Sequence, residues 1–288
     1  MTIINRTLSS NVSSHQSATP KAFSRDTRGY ACPKPHISPY FQYKGYVDRT
    51  IAFLLLIPCL PLIGLLWLLV KLTSKGPGFY AQERLGKGGK PFVMYKIRSM
   101  VANAEQSTGA VWASRNDSRV TAIGSLLRKF HLDEFPQLIN VLRGEMTLVG
   151  PRPERDAFVK ILKCEIDGYQ YRMEVLPGVT GYAQLNLPPD IEVADVKRKI
   201  SLDFEYIENA SFWFDFVILL GTIGRFFKFL GTLHLRALGI YRQVEDSPWA
   251  VCVGANSENA DNNRTMQLSQ LFEMAAADRS EDVQTAAL

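Results

Sequence analysis

Cysteine is scarce in this sequence, and the four present are scattered: Cys32, Cys59, Cys164 and Cys252. None forms a CxxC pair, so neither a zinc site nor a disulfide framework is expected, and reduced thiols fit the spacing better. The common catalytic signatures are also missing. There is no Gx4GK[ST], GxGxxG, GxSxG or HExxH, which argues against several large enzyme classes. No RNP, zinc-finger or basic-zipper pattern accompanies the excess of basic residues, so nucleic acid is not the expected partner. The first residues lack the apolar core of a secretory signal, and no internal repeat is evident.

Apolar residues are not scarce. They make up 46% of 288 residues, enough for one sizeable domain plus tails. Charge is unevenly placed. Residues 1–44 carry six Lys/Arg against one acid, residues 254–288 carry six acids against two Arg, and the middle is left at about +4. A basic middle suits an anionic membrane surface or phosphate-bearing ligands.

Four segments follow from these shifts. Residues 1–44, rich in Ser, Thr, Asn and Pro, read as a disordered leader. Residues 45–72 contain Ile51 to Val70, twenty residues without a charge, long enough at about 1.5 Å per residue to cross roughly 30 Å of hydrocarbon. Pro58 and Pro61 fall in the middle of that run, where each removes a backbone donor. Lys44 and Arg49 precede it and Lys71 and Lys75 follow, so the flanking charges give no direction. Two readings stay open: a broken helix that enters one leaflet and returns, or a kinked helix that spans. Residues 73–245 read as the main domain, and 246–288 as an acidic disordered tail.

Within the main domain, 79–100 predicts a hairpin about Gly86, Gly88 and Gly89. Residues 119–146 predict helices with a break near His131–Pro136. A further helix is expected over 155–173, a turn-rich loop or short strand over 177–184, and an amphipathic helix over 190–208. Phe212 to Leu230 is strongly apolar but interrupted by Asp215, Arg225 and Lys228. It reads as a helix lying in the membrane interface, with a second span as the alternative. The fold class is α+β, mostly helical.

The chemistry concentrates in RKFHLDEFPQLINVLRGEMTLVGPRPE, residues 128–154. Asp133 and Glu134 are adjacent, and neighbours on a helix point about 100° apart. One carboxylate can therefore attack while the other holds a metal. Pro136 belongs in a helix's first turn, which puts the dyad near a helix N-terminus, where a carboxylate stays ionised and phosphate is attracted. The bland alternative is that Asp133 caps the helix. Arg119, Arg128, Arg143, Arg152 and Arg155 crowd the same stretch, with Lys96 and Arg98 ahead of them. A pyrophosphate needs such donors, although a basic face against lipid headgroups would look similar. Pro151 and Pro153 fix the backbone on either side of Arg152. PGVTG at 177–181 suggests a tight turn with a glycine at positive φ, whose amides could cradle a phosphate. Asp117, Arg119 and Thr121 alternate as on a strand. His131 is a conceivable base, though a lone histidine is more often structural.

The order of these motifs closely resembles the bacterial sugar transferase family, the monotopic phosphoglycosyl transferases. The matching pieces are KLTSKGPGFYAQERLGKGGKPFVMYKIRSM (71–100), NDSRVTAIGSLLRKF (116–130), LDEFPQLINVLRGEMTLVGPRPE (132–154), LPGVTGYAQLN (176–186) and DFEYIENASFWFDFVILLGTI (203–223). The resemblance implies transfer of a sugar 1-phosphate from a UDP-sugar to polyprenyl phosphate, with loss of UMP, through a phosphosugar-aspartyl intermediate on Asp133. It implies Mg²⁺ held by Glu134 together with Asp133. Phosphate or substrate contacts are implied for Arg152 between Pro151 and Pro153, for Lys96, Arg98, Arg119 and Arg128, and for Thr180 and Gln184 in the LPGVTGYAQ segment. It further implies a re-entrant helix broken at Pro61, here with Pro58 added and Leu60 where the family usually has serine. Phe130-His131 replaces the usual Thr-Ser. The expected setting is the cytoplasmic face of a bacterial inner membrane, among membrane lipid, in the minimal catalytic form, with a homodimer plausible and downstream glycosyltransferases as partners in polysaccharide synthesis. A metal-dependent nucleotide-sugar hydrolase and a non-catalytic membrane scaffold are the competing readings.

Overall fold

The computed structural model describes residues 32–104, 117–190, 192–226 and 232–255. Most of the expected leader, the tail beyond 255, Lys228 and the side chain of Arg225 lie outside the described residues.

Helix α1 runs from Phe41 to Thr73, 33 residues, with Pro58 and Pro61 inside it. The helical run is not interrupted, contrary to the expected break. Each proline costs one N–H bond, and the turns on either side keep the rest. The two ends of α1 pack against the same body of protein. Near the start, Asp48 and Ala52 are buried and Asp48 accepts the Leu148 amide at 3.2 Å. Near the end, Ile63, Leu66 and Val70 bury against Ile97 and Leu127, at about 1.5–3 kcal/mol per side chain. Between them Phe53, Leu54, Ile57 and Leu60 face outward. By length and composition this helix could enter or cross a membrane.

Lys44, one of the basic residues that precede the apolar run, is turned into the protein. It is 1% exposed, 2.9 Å from Asp48 and ion-paired with Asp215. Asp215 also accepts from Tyr206 Oη at 2.7 Å and Tyr40 Oη at 3.1 Å. The charge that interrupts the apolar run is therefore turned inward.

Strands β1 (Phe79–Leu85) and β2 (Pro91–Ile97) form the expected antiparallel hairpin, from Phe79↔Ile97 to Leu85↔Pro91. Gly88 and Gly89, at φ 67° and 74°, turn the chain between them. Asn140 takes the place of a third strand beside β2. Its Oδ1 accepts the Tyr95 amide at 3.1 Å and its Nδ2 donates to the Val93 carbonyl at 2.7 Å. Helix α2 (Ala122–Lys129) starts where the Thr121 hydroxyl accepts the Gly124 amide at 2.9 Å. Helix α3 (Gln137–Arg143) stops at Gly144, φ 75°. A second small sheet pairs β3 (Thr147–Val149) in parallel with β4 (Gly178–Thr180). The sequence reading held no strand at 147–149. Helix α4 (Asp156–Glu165) lies between those two strands in sequence and α5 (Tyr182–Asn186) follows the second.

Helix α6 (Val193–Asn209) opens with a reciprocal Glu192–Asp195 capping box. Along α7 (Phe212–Phe226), Phe212, Trp213, Phe216, Leu220 and Ile223 form one exposed apolar face, while Asp215, Val217 and Ile218 are buried. One face of this short apolar helix is thus exposed while the other packs on the protein. Helix α8 (Leu233–Ala237) completes the elements.

Three expectations about the ends are corrected. Residues 32–44 are not leader: Ser38 donates its amide to the Ile207 carbonyl at 3.1 Å and its hydroxyl to the Ala210 carbonyl at 2.7 Å. Residues 246–255 are not tail: Trp249, Ala250 and Val253 are core, and Trp249 Nε1 donates to Glu208 at 3.0 Å. Cys32 and Cys252 form a disulfide across 220 residues of sequence, where reduced thiols were expected. Scattered spacing hid it because α6 holds the segments beside both cysteines, Glu208 accepting from the His36 amide and from Trp249 Nε1. Alkylation of unreduced protein is therefore expected to modify Cys59 and Cys164 alone, as read by peptide mass; labelled Cys32 or Cys252 would contradict the bond.

Candidate active site

The dyad sits where the chain reverses between two helices. Helix α2 ends at Phe130, and His131 takes a left-handed conformation (φ 51°). Leu132–Glu134 then make one 3-10 turn, and Phe135 and Pro136 stay right-handed into α3. This is the helix-start position expected from Pro136. Asp133 is not the cap of α3, because the N-cap is Pro136 and no side chain bonds there.

Two cations converge on Glu134. Lys96 Nζ, from the end of β2, lies 2.8 Å from Oε1, and Arg152 Nη2 lies 2.8 Å from the same oxygen. Burial alone would raise the Glu134 pKa; Arg152 and Lys96 overcome it and hold the carboxyl far below the usual carboxylate range. Asp133 is buried without such a contact. Desolvation raises its pKa, against the pull of Lys96 and of Arg128. The two neighbours thus differ: one is a locked anion, the other a more basic carboxylate with its oxygens uncommitted to an ion pair. For Lys96, burial lowers the pKa and Glu134 opposes it. Glu134 raises that of Arg152.

The Pro151–Pro153 segment is held as firmly as the sequence implied, and by more than proline. Three consecutive carbonyls are taken: Pro151 by the Gly178 amide at 2.9 Å, Arg152 by Arg172 Nη2 at 3.0 Å, and Pro153 by Arg84 Nη1 at 3.2 Å. The glycines of 177–181 serve this packing. Neither Gly178 nor Gly181 has positive φ, which corrects the expected tight turn. A Cβ on Gly178 would stand 2.1 Å from the Gly150 nitrogen, and one on Gly181 2.4 Å from the Gly150 oxygen. Close backbone approach is the reason for glycine here. Gly178→Ala should push the Arg152 loop out of place and cut turnover at least tenfold, measured as initial rate of product formation with the protein still folded.

Of the residues expected to bind substrate, Lys96 and Arg152 are in direct contact with the dyad's Glu134, and the charge of Arg128 acts on Asp133 beside it. Arg128 Nε donates to Ser99 Oγ at 2.8 Å. The other expected residues make their contacts elsewhere. Arg98 donates to the Lys75 carbonyl at 2.8 Å and to Ser74 Oγ at 2.6 Å, which caps the end of α1. Arg119 forks onto Asp117 at 2.8 and 2.6 Å and, through that hydrogen bond, brings its pKa down to about 2. Thr180 Oγ1 meets Thr222 Oγ1 at 2.9 Å, and Gln184 Nε2 donates to the Val179 carbonyl at 3.4 Å.

Sequence reasoning missed the buried charges behind Arg152. Arg172 pairs with Asp203 at 2.8 Å; Glu154 lies 3.4 Å from Arg84 and 3.6 Å from Lys199, which is also paired with Asp190. Burial raises the Asp203 pKa against Arg172. One signal was legible: Lys199 and Asp203 stand four apart on the buried face of an amphipathic helix, where charges need partners.

The profile of the family described as "Bacterial sugar transferase" matches residues 40–229. The chain belongs to that family. Over 183 residues it is 43% identical to the UDP-N-acetylgalactosamine-undecaprenyl-phosphate N-acetylgalactosaminephosphotransferase of Aeromonas hydrophila, a stretch covering 62% of this chain and 43% of that protein. It is 48% identical over 134 residues to a putative undecaprenyl-phosphate N-acetylgalactosaminyl 1-phosphate transferase of Bacillus subtilis, covering 46% and 74%. It is 40% identical over 178 residues to the UDP-glucose:undecaprenyl-phosphate glucose-1-phosphate transferase of Escherichia coli strain K12, covering 61% and 38%. The chain thus spans less than half the length of the Aeromonas and Escherichia relatives it matches. The sugar transferase match takes in α1, the dyad, the Arg152 loop and the described α7, while the disulfide and the Trp249 contact lie outside it.

Proposed function

We propose that this chain transfers a sugar 1-phosphate from a UDP-sugar to polyprenyl phosphate at a membrane surface. One observation carries the reading: a buried Asp133 beside a Glu134 anchored by both Lys96 and Arg152. An Asp133 oxygen forms a bond to the β-phosphorus, and the bond from that phosphorus to the bridging oxygen breaks. UMP leaves with the electron pair. A phosphate oxygen of the polyprenyl acceptor then attacks the phosphosugar-aspartyl phosphorus, and Asp133 departs as carboxylate. Burial favours this, because a poorly hydrated carboxylate is the better nucleophile. Arg152 and Lys96 stand where charge on the equatorial oxygens needs compensation.

The carboxylates fit Mg²⁺, which commonly takes one or two protein carboxylates and otherwise substrate phosphate and water. Both cations share Oε1 of Glu134, which leaves Oε2 and Asp133 as the hard oxygen donors. Bound there, the ion would neutralise the diphosphate.

Purified membranes offered a series of UDP-sugars and polyprenyl phosphate should release UMP and accumulate lipid-linked product. Free sugar phosphate would favour a hydrolase, and no UMP with any donor would favour a scaffold. The lipid product would be extended by later glycosyltransferases.

Membrane geometry belongs to the same proposal. A spanning α1 would carry its ends to opposite faces, yet Asp48 and Val70 both pack on the catalytic body. In this proposal Pro58 and Pro61 bend α1 without breaking its helical run, and both ends stay at the cytoplasmic face of the inner membrane with the apolar face of α7 beside it. In a background lacking Cys59 and Cys164, Tyr46→Cys and Leu72→Cys, both at exposed positions, should be labelled by an impermeant reagent from the same side. Labelling from opposite sides would establish a span.

A further inference from the structure

Arg152 meets Glu134 from a segment that offers little to hold it by. A peptide unit is planar and normally carries one donor and one acceptor. Pro153 has no N–H, so the unit joining residues 152 and 153 has only the Arg152 carbonyl as a hydrogen-bonding group. Arg172 Nη2 donates to that oxygen at 3.0 Å. Each proline sets its own φ and pushes the residue before it toward extended backbone, but that region is broad and leaves the ψ of Arg152 free within it. The bond from Arg172 removes that freedom. With the plane of the 152–153 peptide held, the direction in which the Arg152 side chain leaves the backbone is set.

Arg172 is itself placed by the fold. It belongs to the 3-10 turn Tyr169–Glu174, is ion-paired with Asp203 of α6 at 2.8 Å, and donates from Nη1 to Tyr169 Oη at 3.3 Å. It is 3% exposed, whereas the Arg152 side chain is 32% exposed and lies 2.8 Å from Glu134. One arginine is shut away from a ligand and the other is open to one. A buried ion pair adds little stability over apolar side chains of similar size. Apolar residues at 172 and 203 would not, however, supply the donor to the Arg152 carbonyl. Gly178 and Arg84 do not replace it, because they take the carbonyls of Pro151 and Pro153, one peptide to either side.

We infer that Arg172 is a positioning residue: paired with Asp203, it holds the 152–153 peptide and so aims the Arg152 guanidinium at phosphoryl oxygens bound beside Glu134. The inference rests on the transfer proposed above. Arg172 touches no substrate and acts on the reaction through Arg152 alone. Misplacing a group at a reacting centre by about 1 Å can cost on the order of 100-fold. The charge that Arg152 offsets is greatest in the transition state. The loss on removing Arg172 therefore falls mainly on kcat, and much less on KM for the UDP-sugar.

The experiment uses the full chain in detergent and compares wild type, Arg152→Met, the pair Arg172→Met with Asp203→Asn, and all three changes together. Residues 172 and 203 are changed together so that neither is left as an uncompensated buried charge. In initial rates of UMP release, the pair should lower kcat roughly 10- to 100-fold. In the Arg152→Met background the same pair should cost no more than about twofold, the usual error of additivity, because the guanidinium it aims is gone while the carbonyl it holds remains. A merely structural role would cost the same factor in both backgrounds, and that result overturns the inference. So does a pair variant with the kcat of wild type. Arg172→Lys keeps the positive charge and a donor, and should retain more of kcat than the pair. If the pair variant shows no thermal transition, Arg172→Lys with and without Arg152→Met is read by the same comparison and decides in the same way. A wild type that releases no UMP from any donor would defeat the transfer reading and this inference with it, a result distinct from equal losses in an active enzyme.

Discussion

Asp133→Asn is expected to remove transfer almost completely, by roughly three orders of magnitude or more in kcat, as for other covalent nucleophiles. The amide matches the carboxylate in shape, and Asp133 has no cap or ion pair to lose. The variant should therefore fold and stay with the membrane. A donor labelled in its sugar phosphate, quenched before acceptor is added, should leave label on the wild-type chain and none on the variant. Product made at a tenth of the normal rate by Asp133→Asn would exclude the covalent route. So would lipid product formed by wild type with no labelled protein along the way. Glu134→Gln differs in kind. It would free Lys96 and Arg152 from the one oxygen that aligns them, so its loss should appear in phosphate binding as well as turnover.

Local signals in the sequence carried the site's first layer. Pro136 placed the dyad at a helix start, and Pro151 and Pro153 marked a fixed Arg152, because proline acts on its own backbone wherever the chain goes. Gly88 and Gly89 fixed the hairpin for the same reason. What was not legible depends on pairing across the fold. Nothing near Gly178 announces that Gly150 will lie against it, and only the β3–β4 pairing explains that glycine. Arg98 looked like a phosphate ligand by its neighbour Lys96, yet the end of α1 claims it. The charges behind Arg152 come from β1, the 3-10 turn after α4, and α6. A linear pattern does not join them. Cys32 and Cys252 meet only because the segments beside them, at Ser38 and Trp249, both bond to α6.

Lys44 gives the largest stability effect to be expected outside the site. It lies between Asp48 and Asp215, and all three are buried. The cluster joins α1 to α7, to Tyr206 of α6 and, through Asp48 and the Leu148 amide, to β3. It therefore ties the two helices with exposed apolar faces to the strand that leads into the Arg152 loop. Lys44→Met keeps the aliphatic stem and deletes the charge, leaving two carboxylates close together without a cation. Removing one partner of a buried pair costs about 3–5 kcal/mol, a large fraction of a typical domain's margin of about 5–15 kcal/mol. The variant should melt far below wild type in detergent, or fail to accumulate in membranes. The variant that adds Asp48→Asn and Asp215→Asn to Lys44→Met should recover much of that loss, because no uncompensated charge remains. A Lys44→Met protein as stable as wild type would mean that water or lipid headgroups reach the cluster. The two helices would then be held by their apolar contacts alone.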